Sequence, residues 1–187
     1  MSVFAVFGGS FDPPHDGHKN VFKLLIRQTC FDGVILVPAG GNLLKKQSRL
    51  NSYREKIVSE WFFTLMKELH AEKVCTNHWK IQHKSLILDL ESLNLKETST
   101  FRTVSRLEES NLADDLVIAI GADLVEQVRS WQFADQLIDS YCFAVVPRGG
   151  FQRVFPCDFR EIPLDLSNFE TYEISSTIIN NKSSKDY

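Results

Sequence analysis

The stretch Val6–His18, VFGGSFDPPHDGH, leaves an apolar run through two glycines, crosses two prolines and ends on two histidines three positions apart. The run it leaves, SVFAVFGG (2–9), is short and continuously apolar, the pattern of a strand buried on both faces of a parallel sheet. After the histidines, GHKNVFKLLIRQ (17–28) gathers Val21, Leu24 and Leu25 on one helical face, with Lys19, Asn20, Lys23 and Arg27 largely elsewhere. Strand, glycine turn and amphipathic helix make one βα unit.

The same alternation continues. GVILVPAGG (33–41) is a second buried strand, and SYREKIVSEWFFTLMKEL (52–69) a helix with Ile57, Trp61 and Leu65 spaced by four. DDLVIAIGAD (114–123) and YCFAVVPRGG (141–150) are further strands, with LVEQVRSWQFADQLI (124–138) helical between them. KVCTNHWKIQ (73–82) reads as a strand, and KSLILDLESLNLKETST (84–100) is ambiguous between strand and helix. Strands alternating with helices predict an α/β fold, a Rossmann-like parallel sheet with helices on both faces and right-handed crossovers. Three strands run into glycine pairs, at Gly8-Gly9, Gly40-Gly41 and Gly149-Gly150, and the fourth ends at Gly121. Ligands of such sheets bind beyond the carboxyl ends of the strands, where these glycines fall.

No linker or repeat divides the 187 residues, so residues 1–187 are expected to form a single domain, with a polar tail, NNKSSKDY, over about 180–187. A net charge of -3 and a pI near 6.0 give no field for nucleic acid or membrane, so neither is an expected partner. No motif bears on oligomeric state. Cys30, Cys75, Cys142 and Cys157 form no close pair, and Cys30 and Cys142 sit in apolar company. Four reduced thiols, with no signal peptide and no transmembrane run, suit the cytoplasm. His70, Cys75, His78 and His83 fall within fourteen positions, but their spacing matches no standard zinc pattern. Surface histidines beside a buried thiol are the ordinary reading of that cluster.

In the opening stretch, Gly8 and Gly9 let the backbone approach a ligand, and their N–H groups with those of Ser10 and Phe11 can face an anion. Pro13 and Pro14 stiffen the turn, and the helix that opens near Gly17 favours phosphate at its N-terminus. His15 and His18 can share a helical face and donate hydrogen bonds to phosphoryl oxygens. A bare H-x-x-H is as compatible with a structural turn carrying two exposed histidines. The combination of glycines, prolines and histidines points to a phosphate site.

GGSFDPPHDGH (8–18) resembles the signature of the nucleotidylyltransferase superfamily, H-x-G-H after a glycine-rich turn, and ISST (174–177) resembles its second motif in the form associated with adenylyl transfer. VPAGGNLLKK (37–46), TSTFRTV (98–104), GADLVEQVRSW (121–131) and VVPRGGF (145–151) resemble segments of the bacterial nicotinate-nucleotide adenylyltransferases. Phosphopantetheine adenylyltransferases are the alternative, but they usually have Thr where this chain has His15. The resemblance implies an enzyme of NAD biosynthesis. Its substrates would be ATP and nicotinate or nicotinamide mononucleotide, its product side would include pyrophosphate, and its metal would be Mg2+ held by ATP and water, with no protein side-chain ligands.

It also implies roles for residues. His15 and His18 would meet the phosphates, with His18 on the α-phosphate. Lys45 or Lys46 would neutralise the β- and γ-phosphates, an ungapped match favouring Lys45. Ser175, Ser176 and Thr177 would hold the triphosphate from the start of a short helix. Asp123, at a strand end, would accept a ribose hydroxyl, cap the following helix, or both. Trp131 would stack on the pyridine ring, against the alternative of a core tryptophan. The backbone near Thr100 and Phe101 would receive the pyridine carboxylate. Arg148 would contact phosphate or stand as a solvated charge.

The chain departs from the family pattern at Asn180, where an Arg normally follows the second motif. It also departs at Ser99 in place of Tyr, at Arg102 in place of an acidic residue, at Leu43 and Leu44, and in its short C-terminus. These departures leave a nucleotide-binding relative without turnover as a second hypothesis.

Overall fold

The structure, a computed structural model, describes residues 1–38, 51–71, 99–111, 113–151, 156–167 and 169, with side chains of 51–55, 70 and 71 excepted. Five strands form one all-parallel sheet, β1 (Val3–Gly9), β2 (Gly33–Pro38), β3 (Asp115–Gly121), β4 (Cys142–Val146) and β5 (Arg160–Glu161). Their spatial order is β2-β1-β3-β4-β5. Helices α1 (Asp16–Arg27), α2 (Asn51–Ala71), α3 (Thr100–Glu109) and α4 (Ala134–Ser140) connect them, together with a 3₁₀ helix over Ala122–Ser130. The chain therefore has the α/β parallel-sheet fold with helices on both faces that its strand–helix alternation predicts.

The period-two alternation of each strand divides the core. Phe4, Val6, Ile35, Val37, Leu116, Ile118, Ile120, Phe143 and Val145 face α3, the 3₁₀ helix and α4. Ala5, Phe7, Val34, Leu36, Val117, Ala119, Ala144 and Val146 face α1 and α2. Both faces are covered, which is why the strands read as unbroken apolar runs. Pro38 has no N–H to give a ladder, and it ends β2, which pairs only with β1 among the described residues.

Three elements differ from their expected form. On α2 the buried stripe is Val58, Phe62, Leu65 and Leu69, one residue along from Ile57 and Trp61, which are partly exposed. The expected single helix over 124–138 is two elements. Ala122, Val125 and Val128 are its buried positions, spaced by three, the repeat of a 3₁₀ rather than an α-helix. Phe133 then takes a left-handed backbone (φ 64°), which separates this turn from α4. Third, α3 occupies a stretch with no helical expectation beyond Thr100, and β5, at two residues, is too short for a period to show.

Cys30 is exposed rather than in apolar company, because it lies in the turn after α1. Cys30, Cys142 and Cys157 are free thiols. Cys75 lies outside the described residues, as do His78 and His83, while His70 falls in the last turn of α2. No helix among the described residues is long and apolar enough to cross a membrane.

Candidate active site

The site lies where β1, β3 and β4 end side by side. The chain passes from β1 to β2 on one side and then crosses back past β1 to β3 on the other, so a crevice opens beyond the carboxyl ends of β1 and β3. Into it β1 delivers Gly8, Gly9 and Ser10, and the chain turns sharply at Phe11, whose backbone is left-handed (φ 44°), before a cis Asp12–Pro13 bond. The Phe11 ring is fully buried and packs beneath the turn, edge-on to Phe7 at 5.5 Å and near Trp61 of α2 at 6.1 Å. A Cβ on Gly9 would crowd that ring at 3.2 Å, so one of the two glycines makes room for the floor of the site. This use of Phe11 as an aromatic floor, with Phe7 and Trp61, was not read from the sequence. The apolar residues around the glycines were its only signal.

On that floor stand the two histidines. His15 is the N-cap residue of α1 and His18 its third helical residue, and their rings stack at 3.8 Å with 28° between planes. The Phe11 ring lies 4.6 Å from that of His18, tilted by 48°. The backbone N–H of His15 donates to Nδ1 of His18 at 3.3 Å. An Nδ1 that accepts must be unprotonated in the neutral ring, so Nε2 carries the hydrogen and is the donor His18 offers a ligand. Burial pushes the His18 imidazole down to about 3, with His15 and Arg148 adding to the effect. Burial and Arg148 lower His15 too, against a small opposing pull from Asp16. Both rings are neutral at physiological pH.

Across the crevice, Asp123 follows β3 and Arg148 follows β4. They form an ion pair, Arg148 Nη1 to Asp123 Oδ2 at 2.5 Å. Asp123 does not cap the helix that follows it. The N-cap position is Gly121, and no side chain caps it. Instead the carboxylate folds back under the chain, where a Cβ on Gly121 would collide with Oδ1. Oδ1 is buried and has no hydrogen-bond partner among the described residues. Arg148 is therefore paired, not a solvated charge.

The third wall is the start of α3. Ser99, the departure from the family Tyr, is its N-cap: Oγ accepts from the N–H of Arg102 at 3.3 Å, and the Ser99 carbonyl accepts from Thr103 N. The N–H groups of Thr100 and Phe101 have no partner among the described residues. Tyr141, just before β4, anchors this helix by donating to Glu108 Oε2 at 2.8 Å, and burial with the nearby Glu108 pushes its phenol up to about 12. Trp131 ends the 3₁₀ helix, partly buried against the same core as Phe101. Arg102, the other departure here, lies 5.2 Å over the Phe133 ring. The structure thus brings His15, His18, Asp123 and Arg148 to one edge. Lys45, Lys46, Ser175, Ser176, Thr177 and Asn180 lie outside the described residues.

The cytidylyltransferase-like family profile matches residues 6–182, from the strand that carries the glycine turn to beyond the second motif. The chain belongs to the cytidylyltransferase-like family. Within this family it is 28% identical over 180 residues to nicotinate-nucleotide adenylyltransferase of Bacillus subtilis (strain 168), covering 96% of this chain and 84% of that protein. It is 30% identical over 175 residues to the protein named "Probable nicotinate-nucleotide adenylyltransferase" in Aliarcobacter butzleri, with 94% and 84% covered. Plasmodium falciparum nicotinic acid mononucleotide adenylyltransferase, solved in complex with APC, has the same fold, with a TM-score of 0.71 at 19% identity over 97% of this chain and 83% of that one. The matched span includes the turn after β1 and the ends of β3 and β4 that border the crevice.

Proposed function

We propose that the chain is a nicotinate-nucleotide adenylyltransferase, joining the phosphate of the mononucleotide to the AMP part of ATP. The observation that carries this reading is the stacked His15–His18 pair at the end of β1, with Nε2 of His18 left as a neutral donor. A phosphate oxygen of the mononucleotide attacks the α-phosphorus of ATP, the bond to the bridging oxygen breaks, and pyrophosphate leaves. The attacking phosphate is largely ionised at neutral pH, so no base has to remove a proton. What the protein supplies is alignment and hydrogen bonds to oxygens that gain charge. A neutral donor at His18 does this without giving up its proton.

Each remaining residue has a matching role in this reading. The backbone of Gly8, Gly9, Ser10 and Phe11 with His15 receives phosphate, and Asp123 Oδ1 accepts a ribose hydroxyl. Lys45 or Lys46 and the Ser175–Thr177 segment hold the triphosphate tail. Trp131 stacks on the pyridine ring. The N–H groups of Thr100 and Phe101, without a partner among the described residues, suit a carboxylate, which accepts from both. The acid is thus the preferred substrate over nicotinamide mononucleotide. Mg2+ enters with ATP. Neutral imidazoles and backbone N–H groups are donors to phosphate rather than ligands to a hard cation, so the metal would be held by phosphate oxygens and water and would supply neutralising charge for the leaving pyrophosphate. Free thiols at Cys30, Cys142 and Cys157 suit a cytoplasmic location.

Pyrophosphate release from Mg-ATP, with nicotinate mononucleotide, nicotinamide mononucleotide and phosphopantetheine offered separately, tests the reading. Release is expected with the first. Saturable ATP binding with no release from any of the three would replace the enzyme with a nucleotide-binding relative, and release only with phosphopantetheine would change the substrate.

A further inference from the structure

Asp123 and Arg148 are brought together by neighbouring strands, and the details of their pairing are uneven. The carboxylate is the more buried partner, 16% exposed against 37% for Arg148. Only Oδ2 is taken by the guanidinium; Oδ1 is buried, tucked under Gly121, and without a hydrogen-bond partner among the described residues. Arg148 is itself held at the first position of a turn: the N–H of Phe151 donates to its carbonyl at 3.1 Å, and Gly150 takes the positive φ (80°) that such a turn requires. A buried carboxylate oxygen without a donor is costly unless a ligand supplies one.

We propose that Arg148 is a positioning residue: it clamps one oxygen of Asp123 so that the other is presented to a hydroxyl of the bound nucleotide, and it does not itself contact phosphate. This rests on the reading of the site given above, in which Asp123 meets a ribose.

The test is a double-mutant cycle on Mg-ATP affinity, read by calorimetry on the full chain, with Arg148→Met, Asp123→Ala and the double variant. Each single change is expected to weaken binding about tenfold, and the double to be no more than about threefold weaker than Asp123→Ala alone, since Arg148 acts through Asp123. Losses that multiply to about a hundredfold would show Arg148 contacting the nucleotide independently and overturn the proposal. If Arg148→Met does not fold, Arg148→Gln carries the same cycle. A second readout is rescue by the conservative variant: Arg148→Lys, which keeps a cationic donor for Oδ2 of Asp123, should recover most of the lost affinity, and a loss as large as that of Arg148→Met would overturn the clamp. The cycle reads binding alone, so wild-type turnover with nicotinate mononucleotide separately reports whether the enzymatic reading holds.

Discussion

At the scale of residues, the site turns on which atom of His18 carries its hydrogen. The His15 N–H fixes Nδ1 as acceptor, so the donor is Nε2. His18→Ala is expected to lower kcat by about 10²–10³, the scale of a lost transition-state donor, with the far-UV spectrum unchanged. Near-normal turnover in that variant would sink the mechanism. The same burial makes the fold sensitive to acid. His18 titrates at about 3 when folded and near 6.5 when unfolded. Between these values the unfolded chain binds a proton that the folded chain excludes, so stability falls as pH falls from 6.5 toward 3. The slope reaches about 1.4 kcal/mol per pH unit for one such group, and His15 acts in the same direction. Urea unfolding at a series of pH values should show this slope in the wild type and a shallower one in His18→Asn. The stacked pair was legible because three residues are nearly one helical turn. The Asp123–Arg148 pair was not, because its members are separated in sequence and only strand order brings them together.

At the scale of elements, α3 shows how a departure from a family pattern becomes a structural device. Ser99 looks like a loss in the string, yet it caps the helix at the third N–H, while the first two N–H groups have no partner among the described residues. Ser99→Ala is expected to cost about 1 kcal/mol of stability in denaturant unfolding. It should also raise KM for nicotinate mononucleotide more than for ATP; equal effects on both would detach α3 from the pyridine site. Helix α1 was legible because its apolar face is unambiguous. The 122–140 region was not read correctly, because a three-residue spacing at Ala122, Val125 and Val128 is easily absorbed into a longer α-helical period, and nothing in Phe133 announces a left-handed turn. That break sets Trp131 at an end rather than in mid-helix, and an end can keep part of an aromatic ring open to a ligand.

At the scale of the whole molecule, alternation of apolar strands with amphipathic helices sufficed to predict a parallel sheet, because only a sheet covered on both faces makes continuous apolar strands. Strand order was beyond that reasoning, since each run would bury equally well at several positions. The observed order puts β1 between β2 and β3, hydrogen-bonded along both edges and apolar on both sides. Amides of Ala5, Val6 and Phe7 should therefore exchange with deuterium only when the whole domain opens, while those of β5, paired over two positions, exchange by local fraying. Similar protection in β1 and β5 would contradict this. The glycine turn that leads to the histidine pair hangs from this doubly paired strand. Heating should therefore abolish nucleotide binding and the cooperative fold together, with no populated form in which the sheet survives and the crevice has already come apart.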